Sequence, residues 1–123
     1  MSETTSPEMI SFLQETISAC QKAKQQLRLE GRKDESNFEQ IRINVCEIWR
    51  AVDAAGSRQF EQTPEQYQHF LKERLDQLQH TWTNALNLAR DHGDPEQSLI
   101  EQIKLSQLGE IRAVWQRDWK ESK

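Results

Sequence analysis

The stretch ALNLARDHGDPEQSLI, residues 85–100, decides the fold. An apolar helical pattern ends at Gly93, and Asp94, Pro95 and Glu96 follow directly. Glycine often ends a helix in the left-handed conformation. Aspartate caps a helix start, proline fits the first helical position, and glutamate suits the positive end of the helix dipole. Two helices joined by so short a link are expected to run antiparallel.

The same kinds of signal occur along the rest of the chain. In chain order they are Ser6-Pro7-Glu8, Gly31, the capping box of Ser36 and Glu39, Gly56, and Thr63-Pro64-Glu65-Gln66. Together they predict four helices, at about residues 7–30, 36–55, 64–92 and 95–120. The expected fold is all-α, an antiparallel up-down-up-down four-helix bundle that forms one domain over residues 1–123.

Apolar residues recur three and four positions apart, so each helix should offer one stripe to a common core. The first two stripes are Ile10, Leu13, Ile17, Cys20, Lys24 and Leu27, and then Phe38, Ile41, Val45, Ile48, Val52 and Ala55. The third is Tyr67, Leu71, Leu75, Leu78, Trp82, Ala85 and Ala89. In the fourth helix the groups 99–103 and 111–119 point roughly 90° apart. We therefore expect this helix to bend near Gly109 or to cover a second surface.

Composition and charge limit the classes of function that this chain can have. The net charge is −4 and the pI is about 5.4, which does not favour sequence-independent binding of nucleic acid. Basic residues cluster at the ends of the first and fourth helices, where they complement the helix dipoles. The sequence has no apolar run long enough for a membrane span and no secretory signal at its N-terminus. A cytoplasmic protein with reduced cysteines is expected.

The third helix carries a line of metal-ligand side chains, namely His69, Glu73, Asp76 and His80. This line points away from the apolar stripe, and one helix cannot supply a closed coordination sphere. The Glu-x-x-His pairs of buried di-iron sites are missing as well. We expect a solvated polar face, with no metal, no cofactor and no catalytic residue.

Arg74 and His80 are separated by five residues. This Arg-x5-His spacing resembles the short motif of the HEPN ribonucleases, which are also helical bundles. The resemblance implies that Arg74 would hold the phosphate and His80 would be the general base. In that family the motif lies near a helix start, whereas here both residues are mid-helix and some 120° apart around the axis.

The pair Glu73 and Asp76 is similar to one acidic motif of the all-helical nucleotide pyrophosphatases, which hold magnesium. The companion Glu-x-x-Glu pair of that family is missing from this sequence. A small helical enzyme, either a HEPN-like ribonuclease or a metal-dependent hydrolase, is therefore kept as an alternative.

Four residues lie off the predicted stripes or at the end of the chain: Ile43, Cys46, Trp115 and Trp119. Tryptophan is enriched at binding hot spots, so these residues are candidates for an interface with a protein partner or a second copy, and packing in the core is the other interpretation. The alternative is that the two rings pack back onto the first or third helix. The predicted function is a non-enzymatic helical interaction module, such as an adaptor, small chaperone or regulator. A helical subunit of a nucleic-acid complex is the other alternative.

Overall fold

The computed structural model describes the backbone of residues 6–122 and the side chains up to Trp119. The described chain forms four helices and no strand, which confirms the all-α prediction. The helices are α1 (Pro7–Leu29), α2 (Lys33–Gln59), α3 (Pro64–Asp91) and α4 (Pro95–Ser122). Their packing is that of a four-helix bundle. Among the described residues, no helix is both long enough and apolar enough to cross a bilayer.

Two glycines end their helices as the sequence predicts. Gly31 has φ +75° and Gly93 has φ +65°, the left-handed region in which only glycine is unstrained. After each one the chain turns back, and the next amide reaches a carbonyl of the last helical turn. These bonds join Arg32 N to Leu27 O at 2.8 Å and Asp94 N to Ala89 O at 2.9 Å. Both turns are therefore Schellman motifs that satisfy the orphan carbonyls.

The predicted caps are confirmed at two helix starts. The Ser6 hydroxyl accepts a hydrogen bond from the Met9 amide at 3.2 Å, and the Asp94 carboxylate accepts one from the Gln97 amide at 3.0 Å. Thr63 precedes α3, but its side chain makes no capping hydrogen bond. Proline at the first helical position of α3 defines that start instead.

Both predicted ends of α2 are wrong. The helix begins at Lys33, with Asp34 and Glu35 in its first turn, and Ser36 is a buried residue inside it. At the other end Gly56 lies within the helix, which continues to Gln59. Gly56 fits this position for a different reason, because a Cβ there would lie 2.6 Å from the Phe70 ring of α3. The glycine marks the place where α2 and α3 approach closely.

The four helices are not equivalent in the bundle. α2 packs against all three other helices, and so does α4, whereas α1 and α3 do not touch each other in the described part of the chain. The cross-section is therefore a flattened rhombus with α2 and α4 on its short diagonal. These two helices also carry all the buried polar residues described, which are Ser36, Asp53, Ser98, Glu101 and Gln107.

One core cluster runs through the bundle. α3 contributes Tyr67, Leu71, Leu75 and Trp82 to it, in agreement with its predicted stripe. In α1 the stripe is confirmed at Leu13, Ile17 and Cys20, but Met9 is buried where Ile10 was expected.

The predicted stripe of α2 is mostly wrong. Val45 is buried, but Ile41 and Val52 are only half-buried and Ile48 is exposed. The buried line, which includes Cys46 and Trp49, lies about 100° further around the helix. This line is not continuously apolar, because it contains the polar residues Ser36 and Asp53 and the glycine Gly56. The hydrophobic periodicity of the sequence therefore does not reveal it.

α4 does not need a close neighbour at Gly109. That residue is exposed, and a Cβ added there would meet nothing within 4 Å. No other helix approaches α4 closely at this glycine. The apolar direction of α4 drifts because this helix contacts the three others and buries a broad arc, including Ile103, Leu108 and Ile111.

The two helical glycines should respond oppositely to alanine. Gly109→Ala should raise the free energy of unfolding by up to about 1 kcal/mol, because alanine is the better helix former and the site is open. Gly56→Ala should lower it by about 1–3 kcal/mol, because its methyl group overpacks the Phe70 ring.

Chemical denaturation of both variants beside the native chain measures the two changes. Stabilisation by both substitutions would contradict the close approach of α2 and α3 at Gly56.

Candidate functional site

A groove opens between the N-terminal half of α1 and the C-terminal half of α2. Its volume is about 400 Å³. The described residues that line it are Ile10, Leu13, Gln14, Arg50, Asp53 and Ala54. The groove exists because α1 rests mainly on α2 and is not closed in by α3. It is large enough to receive one or two side chains of a bound molecule.

Asp53 is the buried polar group of this groove, with 5% of its surface exposed. The hydroxyl of Tyr67, which is itself 2% exposed on α3, donates a hydrogen bond to the Asp53 carboxylate. Burying a carboxylate is costly unless hydrogen bonds compensate for the lost water. The Tyr67 contact therefore fixes Asp53 and links the groove to the core of the bundle.

The rim of the groove combines an apolar and a charged side chain. Ile10, in the first turn of α1, is 40% exposed. Arg50 lies on the α2 side, and its guanidinium pairs with the Glu47 carboxylate at 3.4 Å. This pair is solvent-exposed, so it adds little to stability and leaves Arg50 free to change partners.

A second groove lies on the other side of α1, towards α4. Its volume is about 390 Å³, and it is lined by Pro7, Glu8, Ser11, Phe12, Glu15 and Arg117. We call the two grooves and the part of α1 between them the α1 ridge. The second groove is bordered by two exposed carboxylates, Glu8 and Glu15, and by one guanidinium group, that of Arg117. The α1 ridge thus combines the exposed Ile10 of the first groove with an acidic border at the second.

The four residues predicted at an interface are placed largely inside the chain. Ile43, Cys46 and Trp115 are buried, at 6%, 0% and 8% exposure. All three belong to the core cluster, which is the other interpretation of their positions, because α2 and α4 bury broader arcs than one stripe. Trp119 is half-buried and its ring stacks on that of Trp115, with centroids 6.3 Å apart.

Trp115 is held by a polar contact as well as by packing. Its indole Nε1 donates a hydrogen bond to Oε1 of Gln68 on α3, at 2.8 Å. Aromatic rings with a polar tip are commonly fixed in this way when buried. The two rings therefore pack back against the bundle, which was the alternative left open by the sequence.

The polar face of α3 is exposed, and its groups bind one another. Asp76 accepts hydrogen bonds from Lys72 and from Arg112 of α4, both at 3.0 Å. The Lys72 ammonium and the Arg112 guanidinium hold the pKa of the Asp76 carboxyl below its usual range. No group of three or more potential metal ligands is found among the described residues.

The two residues of the ribonuclease-like motif have separate local partners. The Arg74 guanidinium lies 5.2 Å from the centre of the Phe70 ring and donates a hydrogen bond to Gln77. A ring nitrogen of His80 is 3.2 Å from the amide nitrogen of Asn84. Both residues are exposed, and no hydrogen bond joins them.

Sequence reasoning missed Asp53, Tyr67 and Gly56 as a connected set. The three fall where α2 meets α3, and only the tertiary structure brings them together. Asp53 and Gly56 do follow Trp49 at spacings of four and three, which was the available signal. No family model, curated protein or solved structure matches this chain.

The two cysteines are free and buried side by side in the α1–α2 region of the core. Burial raises the pKa of the Cys20 thiol to about 11, and the neighbouring Glu39 carboxylate adds to this shift. Burial likewise raises the pKa of Cys46 to about 12, with a further contribution from Cys20. Both groups are therefore neutral thiols near neutral pH, and the thiolate is the reactive form.

Both thiols should react slowly while the chain is folded. With Ellman's reagent at pH 8, we expect modification at least about 100-fold slower than in guanidinium, where the thiols recover ordinary pKa values. Since the folded pKa values are raised, their stabilising effect is complete below about pH 8.5 and is lost as the pH rises towards 11.

Denaturation at pH 8 and at pH 10 measures this loss, and the Cys20→Ala/Cys46→Ala variant is the control, which should lose less stability than the native chain. Rapid modification of the folded chain would contradict the burial of these thiols.

Proposed function

We propose that this chain is a non-enzymatic interaction module that binds a basic amphipathic helix of a partner protein along the α1 ridge. The observation that carries the proposal is the exposed Ile10, which lines the first groove, together with the exposed carboxylates of Glu8 and Glu15 at the second groove. Helix-in-groove recognition uses apolar anchors at helical spacing. Here the partner's anchors would insert on either side of α1.

The apolar part of the α1 ridge supplies the affinity in this proposal. Ile10 and Leu13 line the first groove, and Phe12 lines the second. Leu13 is already buried, so the gain comes from the exposed parts of Ile10 and Phe12, at roughly 25 cal/mol for each Å² of apolar surface removed from water. The shape of the ridge, raised between two grooves, suits the groove between adjacent rows of side chains on a second helix.

The acidic border determines the charge of the partner that binds. Glu8 and Glu15 flank the second groove, and Asp53 lies in the first. With a chain net charge of −4, this border favours the approach of a segment rich in lysine or arginine. An acidic helix with the same apolar face would be repelled.

A binding role is also supported by the side chains of the grooves. The described lining residues include no histidine or cysteine, the side chains that most often serve as general base or as thiol nucleophile. The Asp53 carboxylate is occupied by the Tyr67 hydroxyl. We also place the protein in the cytoplasm, which is supported by its two free cysteines.

Calorimetric titration with designed peptides tests the proposed function. An amphipathic helical peptide of leucine and lysine should bind, whereas its leucine and glutamate counterpart should not. Ile10→Asp should weaken binding of the lysine peptide at least about tenfold, or 1.4 kcal/mol, because it removes the apolar anchor.

The matched control is Leu29→Asp, which makes the same change at an 84% exposed leucine at the other end of α1. Both variants add the same negative charge, so a non-specific attraction would make both bind at least as tightly as the native chain. That result would reject the α1 ridge as a binding site, whereas a loss confined to Ile10→Asp would support it.

A further inference from the structure

The first turn of α2 is weakly held. The helix begins at Lys33, and Arg32 occupies the N-cap position without a side-chain capping hydrogen bond. These two residues place positive charges at the positive end of the helix dipole, which is unfavourable. The Arg32 guanidinium pairs with the carboxylates of Glu30 and Glu35, and these pairs hold the turn. All three side chains are exposed, and exposed pairs add little to stability.

A better start signal lies one turn further along the same helix. Ser36 and Glu39 have the spacing of a capping box, in which the serine hydroxyl and the glutamate carboxylate each accept a hydrogen bond from the other residue's amide. In the structure Ser36 lies inside the helix at 1% exposure, and its hydroxyl has no hydrogen-bond partner among the described residues. A buried hydroxyl without a partner is destabilising. The long form of α2 therefore leaves its best cap unused.

A helix that begins at Asn37, with Ser36 as its N-cap, would exchange one set of contacts for another. The amides of residues 36–39 would lose four helical hydrogen bonds, of which Ser36 N to Arg32 O at 3.0 Å is the first. The capping box would replace two of the four and give the Ser36 hydroxyl its partner. The Glu39 carboxylate would leave Arg42, from which it is separated by 3.6 Å. Residues 33–35 would regain backbone freedom, which favours the shorter helix.

We propose that α2 has two starts in solution. The long start, at Lys33, is the one in the structure. The short start is at Asn37, with Ser36 as N-cap, and it lengthens the α1–α2 connection from residues 30–32 to residues 30–36. The first α2 member of the core cluster is Ile43, so the core stays in place while residues 33–35 unwind. The chain thus has a built-in conformational equilibrium at this end of the bundle.

The two starts go beyond the proposed function and do not depend on it. The first groove is lined by Ile10 and Leu13 of α1 and by Arg50 and Asp53 of α2. These residues lie at the other end of the α1–α2 hairpin from the turn at residues 30–32. Peptide binding and the choice of start are therefore separate results.

Hydrogen exchange measured for each amide by NMR tests whether the native chain samples the short start. The amides of Asn37 and Phe38 lose their partners in the short start, whereas the Glu39 amide gains the Ser36 hydroxyl. After correction for intrinsic rates, we expect Asn37 and Phe38 to exchange at least about tenfold faster than Glu39. Exchange that slows evenly from Ser36 to Gln40 would indicate simple fraying and would overturn the proposal.

Proline substitution traps the short start. Proline fits the first position of a helix but breaks it further inside, so Asn37→Pro is compatible with the short start alone. We expect its melting temperature to stay within about 5 °C of the native value. The matched control is Asn44→Pro, at an exposed asparagine in the same helix, which should lower the melting temperature by at least about 10 °C. Similar losses in the two variants would contradict the short start.

Ser36→Ala distinguishes a cap from a merely buried serine. In the native chain this change removes a buried hydroxyl without a partner and should raise the melting temperature. In the Asn37→Pro chain it removes the N-cap and should lower the melting temperature. Opposite signs in the two backgrounds would support the two starts, whereas the same sign in both would overturn them.

Discussion

The contact between α2 and α4 across the diagonal of the bundle is the interaction on which the other features depend. Helices in contact lie about 8–10 Å apart, so bringing one diagonal pair together pushes the other pair apart. α1 and α3 are consequently separated in the described structure. Each rests on the central pair, and α1 keeps a groove on either side. The α1 ridge follows from this unequal packing.

The central position of α2 and α4 also explains where polar groups are buried. Ser36, Trp49, Glu101, Gln107 and Asp118 each have one buried polar atom without a hydrogen-bond partner among the described residues. All five lie on α2 or α4. A helix that contacts three neighbours buries a wide arc, and the positions at the edges of that arc include polar residues. Leaving such an atom unpaired costs about 1–3 kcal/mol, so the contact must be favourable enough to offset it.

The sequence predicts the connections of this fold better than its packing. The turns at Gly31 and Gly93 follow from local chemistry, since a glycine with positive φ and an adjacent cap do not depend on distant residues. The stripe of α3 is also largely correct, because a peripheral helix buries a single narrow face, although Leu78 and Ala85 are only half-buried and Leu86, which the stripe omits, is buried. The number of helices and the turns at Gly31 and Gly93 are therefore predictable from local sequence, whereas the ends of α2 are not.

The buried faces of the central helices do not follow from local sequence in the same way. A reading by hydrophobicity selects one stripe, and for α2 it selects the side that contains Ile48 rather than the side that contains Trp49. Asp53 and Gly56 look like interruptions of the pattern, although one is fixed by Tyr67 and the other admits Phe70. The grooves beside α1 arise only from the relative placement of helices. Local sequence therefore identifies neither the grooves nor the burial of Trp115.

Pulsed electron resonance between paired spin labels tests the flattened bundle most directly. One pair of labels would be attached to cysteines at the exposed Ala51 and Gln116, on α2 and α4, and the other at the exposed Ser18 and Glu73, on α1 and α3. The native thiols are buried and should remain unlabelled. We expect the α2–α4 distance to be shorter than the α1–α3 distance by on the order of 5 Å. Equal distances, or a shorter α1–α3 distance, would contradict the α2–α4 contact.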